Sequence, residues 1–98
     1  MKNLSFHPEA ELELEYSAKY YESKSKGLGF RFLFEIEKNL NQIVDHPDSG
    51  SPLVYKQIRR RLLRYFPFAV VYKNDPERIY ILAVMHLSRK PGYWKGRK

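Results

Sequence analysis

The sequence predicts an α+β domain: an N-terminal strand and a helical hairpin packed on an antiparallel sheet of three further strands. Three observations predict it. The apolar residues recur at helical spacing up to about residue 45 and at every second position beyond about residue 57. A Pro- and Gly-rich segment, His46-Pro47-Asp48-Ser49-Gly50-Ser51-Pro52, separates the two regimes. The order is then strand, helix, helix and three strands, the pattern of a helical hairpin packed on one face of a sheet.

Leu4-Ser5-Phe6 alternates as a short strand does. Pro8 suits the first helical turn, where its missing N–H is not needed, and His7 before it reads as the cap. Glu9, Glu11, Glu13 and Glu15 crowd the start of the segment and Lys19 and Lys24 fall toward its end, the polarity that a helix macrodipole favours. Ala10, Leu14, Ser17, Ala18 and Tyr21 form one stripe, with Leu12, Tyr16 and Tyr20 beside it, which places the first helix at about 8–24. Gly27-Leu28-Gly29 marks a tight turn into a second helix at about 28–45. Leu33, Ile36, Leu40 and Ile43 form its apolar face, broadened by Phe30, Phe32, Phe34 and Val44. So short a connection makes the helices antiparallel neighbours.

Gln57–Tyr65, Phe68–Lys73 and Arg78–Leu87 read as strands, rich in β-branched and aromatic residues, with 74–77 as the hairpin turn between the last two. The run Ile79–Met85 is nearly continuously apolar, the pattern of a central strand buried, or nearly so, on both faces. The last five or so residues are expected to fray.

The 98 residues form one domain, 1–98, and 43% hydrophobic residues are enough for a core at this length. With no cysteine there is no disulfide framework and no thiolate metal site, and three scattered histidines do not resemble a metal centre. The Gly27-x-Gly29 pair follows no strand and has no P-loop lysine, so no nucleotide or other cofactor is expected. A signal-like leader and a span-length apolar run are absent, so a cytoplasmic protein without a membrane partner is expected.

Charge is divided unevenly along the chain. Residues 1–49 carry six Lys/Arg against nine Asp/Glu, whereas residues 50–98 carry twelve against two. The basic excess lies in Arg59, Arg60, Arg61 and Arg64 and again in Arg89, Lys90 and the Lys95–Lys98 tail. Such a field attracts a polyanion or an acidic protein. On a strand, Arg59 and Arg61 share one face about 7 Å apart and Arg60 takes the other. This pair suits successive phosphates or carboxylates, although a charged edge strand protected against aggregation has the same pattern. His86, Arg89 and Tyr93, with Arg61, are the candidate acid–base and phosphate-stabilising groups should the chain cut RNA. A structural His at a strand end and a Trp closing the core is the alternative.

Several of these segments, taken in order, resemble the toxins of the RelE/ParE superfamily. In the helical half they are His7-Pro8-Glu9-Ala10, Tyr20-Tyr21-Glu22 and Gly27-Leu28-Gly29-x-Arg31-Phe32. In the sheet half they are Arg59-Arg60, Phe66-Pro67-Phe68-Ala69-Val70-Val71-Tyr72, Val84-Met85-His86-x-x-Arg89 and Pro91-Gly92-Tyr93-Trp94. The resemblance implies a type II toxin neutralised by a cognate antitoxin, acidic and partly disordered, and contact with operator DNA only through that antitoxin. It offers two targets, DNA gyrase for the ParE group or ribosome-bound mRNA for the RelE-type endonucleases. Ala69 stands where many RelE-type nucleases have an arginine, and the Phe-Pro-Phe turn and the His86-x-x-Arg89 ending look more like ParE and its plasmid-stabilisation relatives. The expectation is therefore a ParE-like inhibitor acting by protein binding. A ribosome-dependent mRNA endonuclease is the alternative, and a non-toxic basic interaction module the third reading. The basic face, Arg59, Arg60, Arg61, Arg64, Arg89 and Lys90, is expected to meet the target or the antitoxin.

Overall fold

The computed structural model describes residues 3–53 and 57–98. Its elements are β1 (Asn3–Phe6), α1 (Pro8–Lys24), α2 (Leu28–Asp45), β2 (Ser51–Pro52), β3 (Ile58–Leu62), β4 (Phe68–Asn74) and β5 (Arg78–His86). One five-stranded sheet has the order β1-β5-β4-β3-β2. Both helices coincide with the segments that the apolar spacing predicts. His7 caps α1, its Nδ1 accepting the Glu9 N–H at 3.0 Å. Gly27, at φ +87°, supplies the left-handed residue from which α2 starts.

The three long strands β3, β4 and β5 pair antiparallel, as the sequence predicts, and the N-terminal strand joins their sheet. β1 runs parallel to β5, from Asn3 opposite Arg78 to Phe6 opposite Ile81, while the other pairs are antiparallel. A two-residue hairpin would force antiparallel pairing, but the whole helical hairpin and three strands separate β1 from β5, so no such constraint acts. β2 lies within the segment that reads as a loop and pairs through Ser51 with Arg60 and Pro52 with Arg59. Its proline is tolerated because this is the sheet edge. β3 is shorter than predicted, since the chain turns after Leu62 to place Tyr65 at φ +67° and Pro67 before β4.

β4 and β5 are the interior of the fold. Phe68 to Tyr72 and Ile79 to Met85 are buried throughout. One face of the pair, with Phe68, Val70, Tyr72, Ile79, Ile81 and Val84, packs on the helices through Ala10, Phe32, Ile36 and Ile43. Phe32 is fully buried and meets Phe66 and Phe68 edge-on, with centroids at 5.3 and 4.9 Å. The other face carries Ala69, Val71, Tyr80, Leu82, Ala83 and Met85, and Trp94 of the C-terminal segment covers it. A register shift opposite Val71 and Tyr72 lets both Leu82 and Ala83 face that side.

Not every apolar residue of the predicted helical faces is inside. Phe30 and Phe34 are 76% and 60% exposed, and Tyr16 and Tyr20 also lie outside. Gly29 marks the crossing of the helices. A Cβ there would meet the Ala18 carbonyl oxygen at 2.7 Å and the Glu22 carboxylate at 2.9 Å, while Glu22 accepts the Gly29 and Gly27 N–H groups. Gly29→Ala is therefore expected to push the helices apart and lower the unfolding free energy by about 1–3 kcal/mol, measured by thermal or urea denaturation.

Candidate functional site

Strand alternation separates the arginine block. Arg59 and Arg61 lie opposite Tyr72 and Val70, on the helix-covered face, and Arg60 lies opposite Val71 on the other. The expectation of an open cationic face carrying Arg59 and Arg61 is thus corrected, because their guanidinium groups are held by the chain itself. Arg59 Nη1 donates to the Asp48 and Gly50 carbonyls at 3.2 and 2.8 Å. Arg61 donates from Nε to Asn39 Oδ1 at 3.1 Å and from Nη1 to Ser49 Oγ at 2.8 Å. The Tyr72 hydroxyl completes the arrangement, donating to the Pro47 carbonyl at 2.6 Å and accepting the Gly50 N–H at 3.0 Å. These groups pin the loop between α2 and β2. Arg60 lines a groove of about 240 Å³ with Leu53, Met85, Trp94 and Lys95, and Arg64 lies exposed in the turn after β3.

The C-terminal candidates gather at the end of β5. Ser88 N–H donates to His86 Nδ1 at 3.0 Å, which leaves the ring proton of the neutral form on Nε2. The imidazole stands edge-on to Phe68. The Arg89 guanidinium lies 3.9 Å from the Tyr93 ring centroid, a cation–π contact. Lys90 is exposed just beyond. His86, Ser88 and Arg89 form one wall of a groove of about 460 Å³; Tyr16 and Tyr20 of α1 face them, and Tyr21, Phe68 and Val84 also line it. Arg61 is not part of this group, so the four residues named as a possible nuclease site do not converge.

The residue that sequence reasoning missed is Glu13. Its carboxylate accepts Tyr93 Oη at 2.6 Å, Arg97 Nη1 and Nη2 at 2.9 Å each, and the Val84 N–H at 3.0 Å. Arg97 also donates to the Leu82 carbonyl at 2.9 Å. β1 pairs with β5 only as far as Ile81, so this ion pair takes ladder groups that a longer strand would have taken. The expected fraying of the last residues is corrected by the same pair, which ties Arg97 to α1 and keeps Trp94 only 4% exposed. A signal for Glu13 existed: at i+3 from Ala10 and one residue before Leu14, it borders the buried stripe.

The electrostatics follow from this geometry. Burial alone pushes the Glu13 carboxyl up, but hydrogen bonds from Arg97, Tyr93 and Val84, with the Arg97 charge, more than reverse it. The group titrates below its ordinary value of 4.5. Burial, then the hydrogen bond to Glu13 and its charge, push the Tyr93 phenol above its ordinary value of 10. Tyr93 is therefore a fixed proton donor to Glu13 at neutral pH. Among the described residues no group of three or more His, Cys, Asp or Glu is placed to hold a metal ion, and no helix is long and apolar enough to cross a membrane.

Two outcomes follow. Glu13→Gln strands the Arg97 guanidinium and is expected to lower the unfolding free energy by about 2 kcal/mol at pH 7. Because the folded carboxyl is depressed, its contribution is full above pH 4.5 and is lost as pH falls through the native value. Urea titrations of the two proteins should therefore converge on acidification below that point. Arg59→Ala is expected to release the 47–50 loop at a cost of about 1 kcal/mol, read as faster amide exchange at Gly50.

The comparisons with known proteins agree with this architecture. The family described as "ParE toxin of type II toxin-antitoxin system, parDE" matches residues 4–91. Among solved structures, a chain titled "Chromosomal ParDE TA system from P. aeruginosa" superposes with a TM-score of 0.74 at 18% identity, covering 90% of this chain and 98% of that one. No curated protein matches the sequence. At that identity the structural likeness concerns the fold, α+β with a mixed five-stranded sheet. The family match spans nearly the whole chain, and the chain belongs to the ParE toxin family of type II toxin–antitoxin systems.

Proposed function

We infer that this toxin acts by binding DNA gyrase and not by cleaving a bond. The observation that carries the reading is the employment of the candidate catalytic groups. Tyr93 Oη is committed to Glu13, Arg61 to Asn39 and Ser49, and His86 Nδ1 accepts from Ser88. A nuclease site needs an acid, a base and a phosphate-stabilising cation around one reacting atom. Ala69 of β4, at the place where RelE-type nucleases carry an arginine, is fully buried and presents no group at all.

What the chain does offer is a surface. The groove between α1 and the end of β5 has an aromatic wall, Tyr16 and Tyr20, and a wall of donors, His86, Ser88 and Arg89. Arg89 and Lys90 extend it as exposed cations. Aromatic rings beside an arginine are the composition of binding hot spots. In this reading the groove and the C-terminal segment meet gyrase, and the antitoxin neutralises the toxin in the resting cell.

The test is a supercoiling and cleavage-complex assay with purified gyrase and purified toxin. Inhibition is expected, with Arg89→Glu weakening it about tenfold or more, the effect of losing a hot-spot residue. Normal supercoiling at a large excess of folded toxin would overturn the gyrase reading. Codon-phased cuts in mRNA from cells expressing the toxin, seen by primer extension, would replace it with the endonuclease.

A further inference from the structure

A second surface lies along the outer flank of α2 and the turn between β3 and β4, away from the groove just described. Tyr65 occupies this turn at φ +67°, a backbone conformation that an aromatic L-residue adopts only against steric resistance. Its ring is 74% exposed, so packing within the chain does not compensate the strain. Phe30 and Phe34 are one helical turn apart on α2 and are among the most exposed apolar side chains described. Three large rings are thus held out to solvent.

Cations are interleaved with them. The Arg31 guanidinium lies 5.8 Å from the Tyr65 ring centroid, and Lys38 Nζ lies 5.5 Å from that of Phe34. Lys38 and Arg64 also line a groove of about 560 Å³ between α2 and the end of β3. The acid in that groove, Glu35, is itself buried and already 3.6 Å from Lys38. The exposed acid of this flank, Glu37 on the Phe30 and Phe34 face of α2, is outnumbered by Arg31, Lys38 and Arg64, so the flank is aromatic with a positive excess.

We propose that this flank is the docking surface for the cognate antitoxin, which lays an acidic segment with apolar side chains across it. Its carboxylates meet Arg31, Lys38 and Arg64, and its apolar side chains lie among Phe30, Phe34 and Tyr65. Charge complementarity selects an acidic occupant, since a second copy of this chain, net +7, would bring the same cations against these. The apolar character selects a standing partner over a passing one. Interfaces that stay formed are the more hydrophobic ones, and a free protein seldom leaves three rings uncovered. The proposal rests on the toxin reading and adds where neutralisation takes place.

The experiment pairs the toxin with its ParD-type antitoxin, both purified, in calorimetric titrations, alongside growth assays with and without the antitoxin. Phe30→Ala with Phe34→Ala is expected to lower antitoxin affinity about tenfold or more. Arg31→Glu should do the same and should flatten the salt dependence of binding. Tyr65→Gly relieves the backbone strain, so it should raise the melting temperature while weakening binding, an outcome that general damage to the fold would not produce. All three should still arrest growth when expressed alone and should resist rescue by the antitoxin.

Unchanged antitoxin affinity in folded Tyr65→Gly and Arg31→Glu would overturn the proposal, and these two decide the matter if the double phenylalanine variant does not fold. Loss of growth arrest with antitoxin affinity intact would overturn it as well and assign the flank to the target. Failure of the wild-type chain to arrest growth would sink the toxin reading, whereas the titrations would still decide whether this flank binds the antitoxin.

Discussion

The two longest strands are apolar on both sides, and most of the structure answers that constraint. A sheet interior such as β4 and β5 cannot leave either face in water, because each uncovered apolar side chain forfeits the burial that offsets the entropy of folding. The helical hairpin covers one face through Phe32, Ile36 and Ile43. On the other face Trp94 packs against Val71, Leu82 and Met85, and it comes from a short C-terminal segment with no helix or strand of its own. That segment needs an anchor, and Glu13 provides one from the opposite layer. A single carboxylate in α1 thereby links the first helix, the edge of β5 and the end of the chain.

The periodic elements were legible because their signal is local. Both helices stand where the stripes of Ala10, Leu14 and Tyr21 and of Ile36 and Ile43 place them, and the apolar run Ile79–Met85 is a strand buried on both faces. What was not legible depended on partners far along the chain. The parallel pairing of β1 needs knowledge of which edge of β5 stays open. The ordered tail needs Glu13, some eighty residues away, and a carboxylate among four alternating glutamates gives little notice of its role. Phe30 and Phe34 read as core because hydrophobicity alone cannot distinguish a buried ring from an exposed one.

The candidate site was half legible, for the same reason. Alternation assigned Arg59 and Arg61 to one face, which the structure bears out. Which face the helices would cover was not in the strand pattern, and it is the one carrying those arginines. Their side chains hold the 47–50 loop, while Arg64, Arg89 and Lys90 are exposed beyond the ends of the strands.

Trp94 is the only tryptophan in the chain, so its fluorescence reports directly on whether the tail closes the second face of the sheet. The structure predicts blue-shifted emission and poor quenching by acrylamide at neutral pH, both changing toward the solvent-exposed values in Glu13→Gln while the far-ultraviolet circular dichroism of the helices persists. Red-shifted, readily quenched emission from the unaltered protein would contradict the account, because the inner strands would then have a cover on one side only.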